Sequence, residues 1–158
     1  MTLSNADVAR RLFEDIWNDK RDDIIDEIFD PKCIAYLESW EVHGPQQFRA
    51  MRAEILESFP DLRLEVLDII EDGDKVAVRW AAEATLQGSG FGMPVSTNEV
   101  RFRGMTWLVI EHGRITRSWD AWNLSQVIQE FLYAQPGSEN ATAATNLRLL
   151  RKQEDKRD

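Results

Sequence analysis

The feature that most constrains this chain is a change of texture near Phe59. Before it, apolar residues recur at helical spacing. After it, they run in long strand-like segments separated by tight-turn signals. Val8, Leu12, Phe13, Ile16 and Trp17 fall on one face of a first helix, with Ser4 or Asn5 placed to cap it and Asp7 in its first turn. Arg10, Arg11, Glu14 and Asp15 largely take the other face. A second, short helix is expected from about Asp22, burying Ile24, Ile25, Ile28 and Phe29 and stopping at Asp30-Pro31. Cys33 to Ser39 reads as a short strand and Trp40 to Pro45 as a connector. Pro45 suits the first position of a third helix, whose period is Phe48, Met51, Arg52, Ile55 and Leu56.

Four long strands follow, at Leu62 to Ile70, Lys75 to Leu86, Glu99 to Ile110 and Gly113 to Asn123. Asp72-Gly73 and Glu111-His112-Gly113 mark the hairpin turns. Gln87 to Thr97, QGSGFGMPVST, is a Gly- and Pro-containing loop expected over a pocket mouth. Leu124 to Tyr133 reads as a closing helix. Helices first and antiparallel strands afterwards predict an α+β fold: a curved mixed/antiparallel β-sheet cone packed by three N-terminal helices, with a central cavity. The expected division is a cone domain at 1–134 and a mobile or loosely helical C-terminal tail at 135–158, which ends RKQEDKRD.

Composition narrows the function classes. A chain of 158 residues suits one domain with a real core. Its net charge of −9 argues against nucleic acid as the main partner and against adhesion to an anionic membrane. No apolar run approaches the roughly 20 residues that span a bilayer, and the amino terminus lacks the apolar stretch of a signal peptide. Cys33 is the single cysteine, so no internal disulfide forms; a cytoplasmic location is expected. His43 and His112 lie far apart without ligand spacing, so no metal site is expected. Nothing matches a phosphate loop, a nucleophile elbow or a dinucleotide fingerprint, and no cofactor is expected.

The residues that could carry chemistry gather at the end of the last strand, Asp120-Ala121-Trp122-Asn123. Asp120 stands between Trp119 and Trp122. Loss of hydration there raises a carboxyl pKa toward neutrality and makes a usable general base for a proton next to a carbonyl. The alternative is an aspartate that caps the Leu124 helix or pairs with Arg101 or Arg103. Asp120 and Asn123 are three positions apart, so on a regular strand they face opposite sides and only one enters the cavity, unless a bulge intervenes. Asn123 could orient a substrate carbonyl or an attacking water, or could cap the closing helix. Tyr36, Trp40, Trp80, Phe91, Trp107, Trp119 and Trp122 are candidates to line an apolar pocket, though core packing accounts for aromatic residues equally well. Arg103 could bring a cation to that pocket, or stand with Arg101 on a solvated outer face. Epoxide or water chemistry would need a second carboxylate in the pocket; Glu38 and Glu83 are the mid-strand candidates.

The ordered series HGPQQF at His43–Phe48, FPDL at Phe59–Leu62, EDGDKVAVRW at Glu71–Trp80, GSGFGMPVSTNEVRFRGM at Gly88–Met105 and HGRITRSWDAWNLSQVIQEF at His112–Phe131 resembles the SnoaL-like polyketide cyclases. These belong to the nuclear transport factor two-like, or cystatin-like cone, superfamily. The resemblance spans roughly residues 6 to 133. It implies the cone fold and one of several activities: aldol cyclisation, isomerisation, epoxide opening, dehydration or plain ligand binding. In the family's characterised cyclases an aspartate near the end of the last strand is the acid/base. Aligning LSQVIQEF with the family's closing helix puts Asn123 at that position, with Asp120 the nearest carboxylate. The cyclases pair their aspartate with a histidine on the preceding strand, where this chain reads Gly104-Met105-Thr106-Trp107. The resemblance also implies a pocket-rim loop at His43, a possible acid/base or hydrogen-bond partner there or simply a surface residue. The expectation is a SnoaL-like cofactor-independent enzyme of cyclase/isomerase type. It would move a proton on a small apolar, aromatic or polycyclic carbonyl compound, with Asp120 as base, Asn123 and His43 as polar helpers, and a homodimer formed through the open face of the sheet. The alternative is a non-catalytic small-molecule-binding or association module of the same fold.

Overall fold

In the computed structural model, which describes residues 3–38, 40–85, 87 and 99–123, the first helix starts at a reciprocal cap. The Asp7 backbone N–H donates to Ser4 Oγ at 3.1 Å, and the Ser4 backbone N–H donates to Asp7 Oδ2 at 3.1 Å. Two of the helix's orphan donors are satisfied this way. Helix α1 (Asn5–Arg11) runs on without a break into a wider π-helical segment, Leu12–Asn18. Arg52 of α3 (Gly44–Ser58) holds that segment in place. It is 4% exposed, and its Nε and Nη2 donate to the Ile16 carbonyl at 3.1 and 2.9 Å. Its Nη1 pairs with Asp22.

The second helix is shorter than its apolar period suggests. A single 3₁₀ turn, Asp22–Ile24, leads into α2 (Ile25–Ile28), and Phe29 is already extended at φ −100°, ψ 138°. Strand β1 (Phe29–Tyr36) therefore takes in Pro31, which the sequence assigns to a helix stop. A proline without an N–H is tolerated there for two reasons. Strand β2 (Glu41–His43) pairs only with Ile34–Tyr36, and the pairing of β1 with β6 (Arg114–Trp122) shifts register between Phe29 and Ile34. Strand β2 itself lies within the expected connector; three residues are too few for an alternation to declare itself.

The remaining strands are β3 (Arg63–Asp72), β4 (Lys75–Thr85) and β5 (Glu99–Glu111), close to their sequence limits. The six strands form one sheet in the order β2-β1-β6-β5-β4-β3. β1 lies parallel to β6 and every other neighbouring pair is antiparallel, which makes the sheet mixed. The β3–β4 turn uses Gly73 at φ 61°, and the β5–β6 turn uses His112 and Gly113 at φ 54° and 75°. Left-handed backbone of this kind is where glycine is cheapest. The closing helix and tail expected beyond Asn123, and the loop with Phe91, lie outside the described residues.

Burial alternates along β4, with Val76, Val78, Trp80, Ala82 and Ala84 inward. On β5, Gly104, Thr106 and Leu108 are buried between exposed Arg103, Met105 and Trp107. Towards the hairpin turns the inner face is packed solid. Val8, Ile16, Ile25 and Ile28 from the helices and Val76, Val78, Leu108, Ile110 and Ile115 from the sheet are none of them more than 2% exposed. Towards the other ends of β4, β5 and β6 the layers part and leave a hollow.

Candidate active site

The hollow has a volume of about 100 Å³. The π-helical segment contributes Leu12, Phe13 and Trp17, α3 contributes Phe48, Met51 and Ile55, and the sheet closes it with aromatic residues that include Trp80, Phe102 and Trp122. Three of the lining side chains are small and polar or acidic: Thr106, Ser118 and Asp120. Asp120 is the one ionisable residue among the described side chains of this wall.

Strand register brings these groups together. Thr106 on β5 stands opposite Asp120 on β6, and Ser118 lies two residues back on the same face. Thr106 Oγ1 and Asp120 Oδ1 are 2.6 Å apart. Ser118 Oγ lies 3.4 Å from Asp120 Oδ2, a long and weak contact. The Trp80 indole Nε1–H donates to Thr106 Oγ1 at 3.0 Å. Gly104 makes room for that indole: it is Trp80's partner across β4–β5, and a Cβ on it would come within 2.3 Å of Trp80 Cζ2.

Burial in this apolar wall pushes the Asp120 carboxyl up to about 6, against the opposing pull of the Thr106 and Ser118 hydrogen bonds. Desolvation dominates because an indole- and phenyl-lined wall does little to solvate a carboxylate. Arg101 and Arg103 project from the opposite face of β5 and do not meet Asp120. Arg101 instead pairs with Glu99 at 3.4 Å.

The other candidates named from the sequence are dispersed. Trp80 and Trp122 line the hollow with Asp120. Trp107 and Trp119 face each other across β5–β6 on the outer face, 45% and 39% exposed. Parity decides this: with Thr106, Asp120 and Trp122 inward, residues 103, 105, 107, 119 and 121 must point outward. Tyr36 follows Trp119, stacked on it at 5.2 Å, and Arg103 follows the same rule. Trp40 is 43% exposed between β1 and β2. His43 is exposed, with Nε2 3.0 Å from Glu41 Oε2, and is not among the residues of this wall. Asn123 follows the last residue of β6 and is exposed. Of the two possible second carboxylates, Glu38 and Glu83 are both exposed. Sequence reasoning missed Thr106 and Ser118 as partners of Asp120; the two-residue spacing of Ser118 on the same strand was an available signal, whereas Thr106 is placed by the β5–β6 register. Among the described residues no cluster of histidine, cysteine or acidic side chains has the arrangement of a metal site, and no helix is long and apolar enough to cross a membrane.

A profile of the SnoaL-like polyketide cyclases matches residues 7–131. The chain belongs to this family. Its fold is the nuclear transport factor two-like cone. It is similar to the structure of a candidate SnoaL-like polyketide cyclase from Jannaschia sp. CCS1, with a TM-score of 0.76 and 25% identity over 84% of this chain and 93% of that one. AclR, a candidate hydroxylase from Streptomyces galilaeus, superposes with a TM-score of 0.72 at 24% identity, over 83% of this chain and 97% of its own. IdmH, a candidate polyketide cyclase from Streptomyces antibioticus, does so with a TM-score of 0.72 at 19% identity, over 81% and 98%. These last two speak to the fold alone. No curated protein matches the chain. In this SnoaL-like protein the side chain across from Asp120 is Thr106, in the stretch where the family resemblance directs attention to a histidine.

Proposed function

We propose that this SnoaL-like protein is a cofactor-independent enzyme of cyclase/isomerase type that moves a proton on a neutral, apolar carbonyl compound, with Asp120 as the acid/base. The observation that carries this reading is Asp120 as the one ionisable group among the described residues lining an apolar hollow, where burial pushes its carboxyl up to about 6. Such a carboxylate is mostly ionised at neutral pH, yet basic enough to take a proton from carbon next to a carbonyl and to return it elsewhere on the same molecule. The described wall holds no cation. A substrate carboxylate would therefore meet Asp120 unneutralised, which favours uncharged substrates. The catalytic role rests on Asp120; His43 and Asn123 are exposed and would reach a substrate only beyond the described wall.

The test is α-proton exchange in D₂O, followed by NMR for a panel of neutral aryl ketones and aryl 1,3-diketones. The wild-type protein accelerates exchange of a bound ketone, and Asp120→Asn removes roughly 10²–10⁴-fold of that rate. Exchange that survives Asp120→Asn contradicts the assignment. A second reading, a binding or association module, is favoured by one observation: the side chain facing Asp120 is threonine, so the described wall offers no second acid/base. That reading predicts ligand binding without exchange.

The same proposal carries a homodimer formed through the outer sheet face, where Met105, Trp107 and Trp119 are exposed. It also carries a cytoplasmic location and the division of the chain at residue 134 expected from the sequence. The net charge of −9 supports the absence of nucleic-acid and membrane partners from this reading.

A further inference from the structure

We propose that Trp80 and Thr106, seated by Gly104, form a one-way hydrogen-bond relay that occupies Asp120 Oδ1 and reserves Oδ2 for the proton the site exchanges. This rests on Asp120 being the acid/base group, but its test reads Asp120 itself and needs no substrate.

The direction of the relay follows from what each group can donate. An indole N–H only donates, so at 3.0 Å Thr106 Oγ1 must accept from it. The threonine hydroxyl then has one proton to place. Among the described residues the acceptor in reach is Asp120 Oδ1 at 2.6 Å, a length usual for a hydroxyl donating to a carboxylate. Oδ1 thus receives the Thr106 proton whether or not Asp120 is ionised. When Asp120 binds a proton, that proton belongs on Oδ2, beside Ser118 Oγ at 3.4 Å.

Gly104 makes the geometry possible. A Cβ at this position would sit 2.3 to 2.8 Å from three atoms of the Trp80 ring, where no side chain can stay. With glycine the indole lies across β5 and reaches Thr106, two residues along the same strand face. Phe102, at 6.1 Å and 84°, and Phe13, at 6.4 Å and 44°, pack against the ring and hold it there.

Among the described residues no titrating partner enters this arrangement. β4 presents Trp80, β5 presents Phe102 and Thr106, β6 presents Ser118 and Trp122, and the helices present apolar side chains. Thr106 and Trp80 are therefore positioning residues. They orient Asp120 without changing charge, so none of these described neighbours couples to its ionisation.

The experiment is a ¹³C carboxyl NMR titration of Asp120 in the full-length protein and three variants. Thr106→Val keeps the shape and removes the donated bond, so the Asp120 pKa rises by about one. Thr106→Ser keeps the hydroxyl and leaves it within a few tenths of the parent. Trp80→Phe also raises it, although Trp80 does not touch Asp120, because the indole N–H no longer polarises the Thr106 hydroxyl that donates to Oδ1. An unchanged midpoint in Thr106→Val or in Trp80→Phe overturns the relay. Should either variant fail to fold, the wild-type Trp80 indole ¹⁵N–¹H signal decides. It follows the Asp120 titration while the Trp107 and Trp119 indoles, on the other face, stay still; a motionless Trp80 signal overturns the relay. A wild-type midpoint in the ordinary aspartate range would instead count against Asp120 as the base, whichever way the variants move.

Discussion

Asp120 occupies a place that works against its own charge. Its pKa in the folded protein, about 6, lies above the ordinary aspartate value of 3.8. The folded state therefore binds this proton more tightly than the unfolded chain does. The carboxyl carries no penalty below both values, and stability is lost as pH rises through the window between them. Asp120→Asn should thus be more stable than the parent at about pH 7.5, by up to about 3 kcal/mol, with the gain shrinking towards nothing near pH 4. Urea midpoints at the two pH values check this; an equal gain at both would refute the burial argument. A variant that is more stable and inactive is what a functional, poorly solvated carboxylate leads one to expect. Gly104→Ala tests the same site from the other side. Its methyl group must displace the Trp80 ring, at a cost of about 1–3 kcal/mol, with a shift in tryptophan emission. A silent Gly104→Ala would mean the ring is not confined.

At the scale of elements, the π-helical segment Leu12–Asn18 forms part of the wall of the hollow, to which it contributes Leu12, Phe13 and Trp17. The helical period of these residues is plain in the sequence. Their wider winding is not, because over seven residues an apolar stripe fits either geometry. The anchoring bond is equally hidden. Arg52 falls on the apolar face of α3 in the sequence, and only the fold shows that its guanidinium meets the Ile16 carbonyl. Arg52→Met leaves that carbonyl without its donor and should cost about 2–3 kcal/mol, read as a lower urea midpoint. A change under about 0.5 kcal/mol would show the segment needs no such anchor. Strand β6 was more legible: the three-residue offset between Asp120 and Asn123 required them to part, and Asp120 lies in the wall of the hollow. Which of the two would face inward depended on the register of β5 against β6, which no local pattern reveals.

For the molecule as a whole, the run of helices and the two hairpin signals sufficed to predict the cone, because turn chemistry and strand alternation are local properties. The pocket was harder to read. Trp80 and Trp107 both sit mid-strand in apolar surroundings, yet opposite parity sends one into the hollow and the other to the outer face. That outer face makes its own prediction. Trp107→Lys, at a position 45% exposed, should leave the fold intact and halve the mass seen by light scattering if the proposed homodimer uses this surface; an unchanged dimeric mass would place the interface elsewhere. The account as a whole turns on whether the hollow keeps Asp120 poorly hydrated. The direct measurement is the ¹³C carboxyl titration of Asp120 in the full-length wild-type protein, assigned with Asp120→Asn. The account predicts a midpoint near 6; a midpoint near the ordinary 3.8 would contradict it.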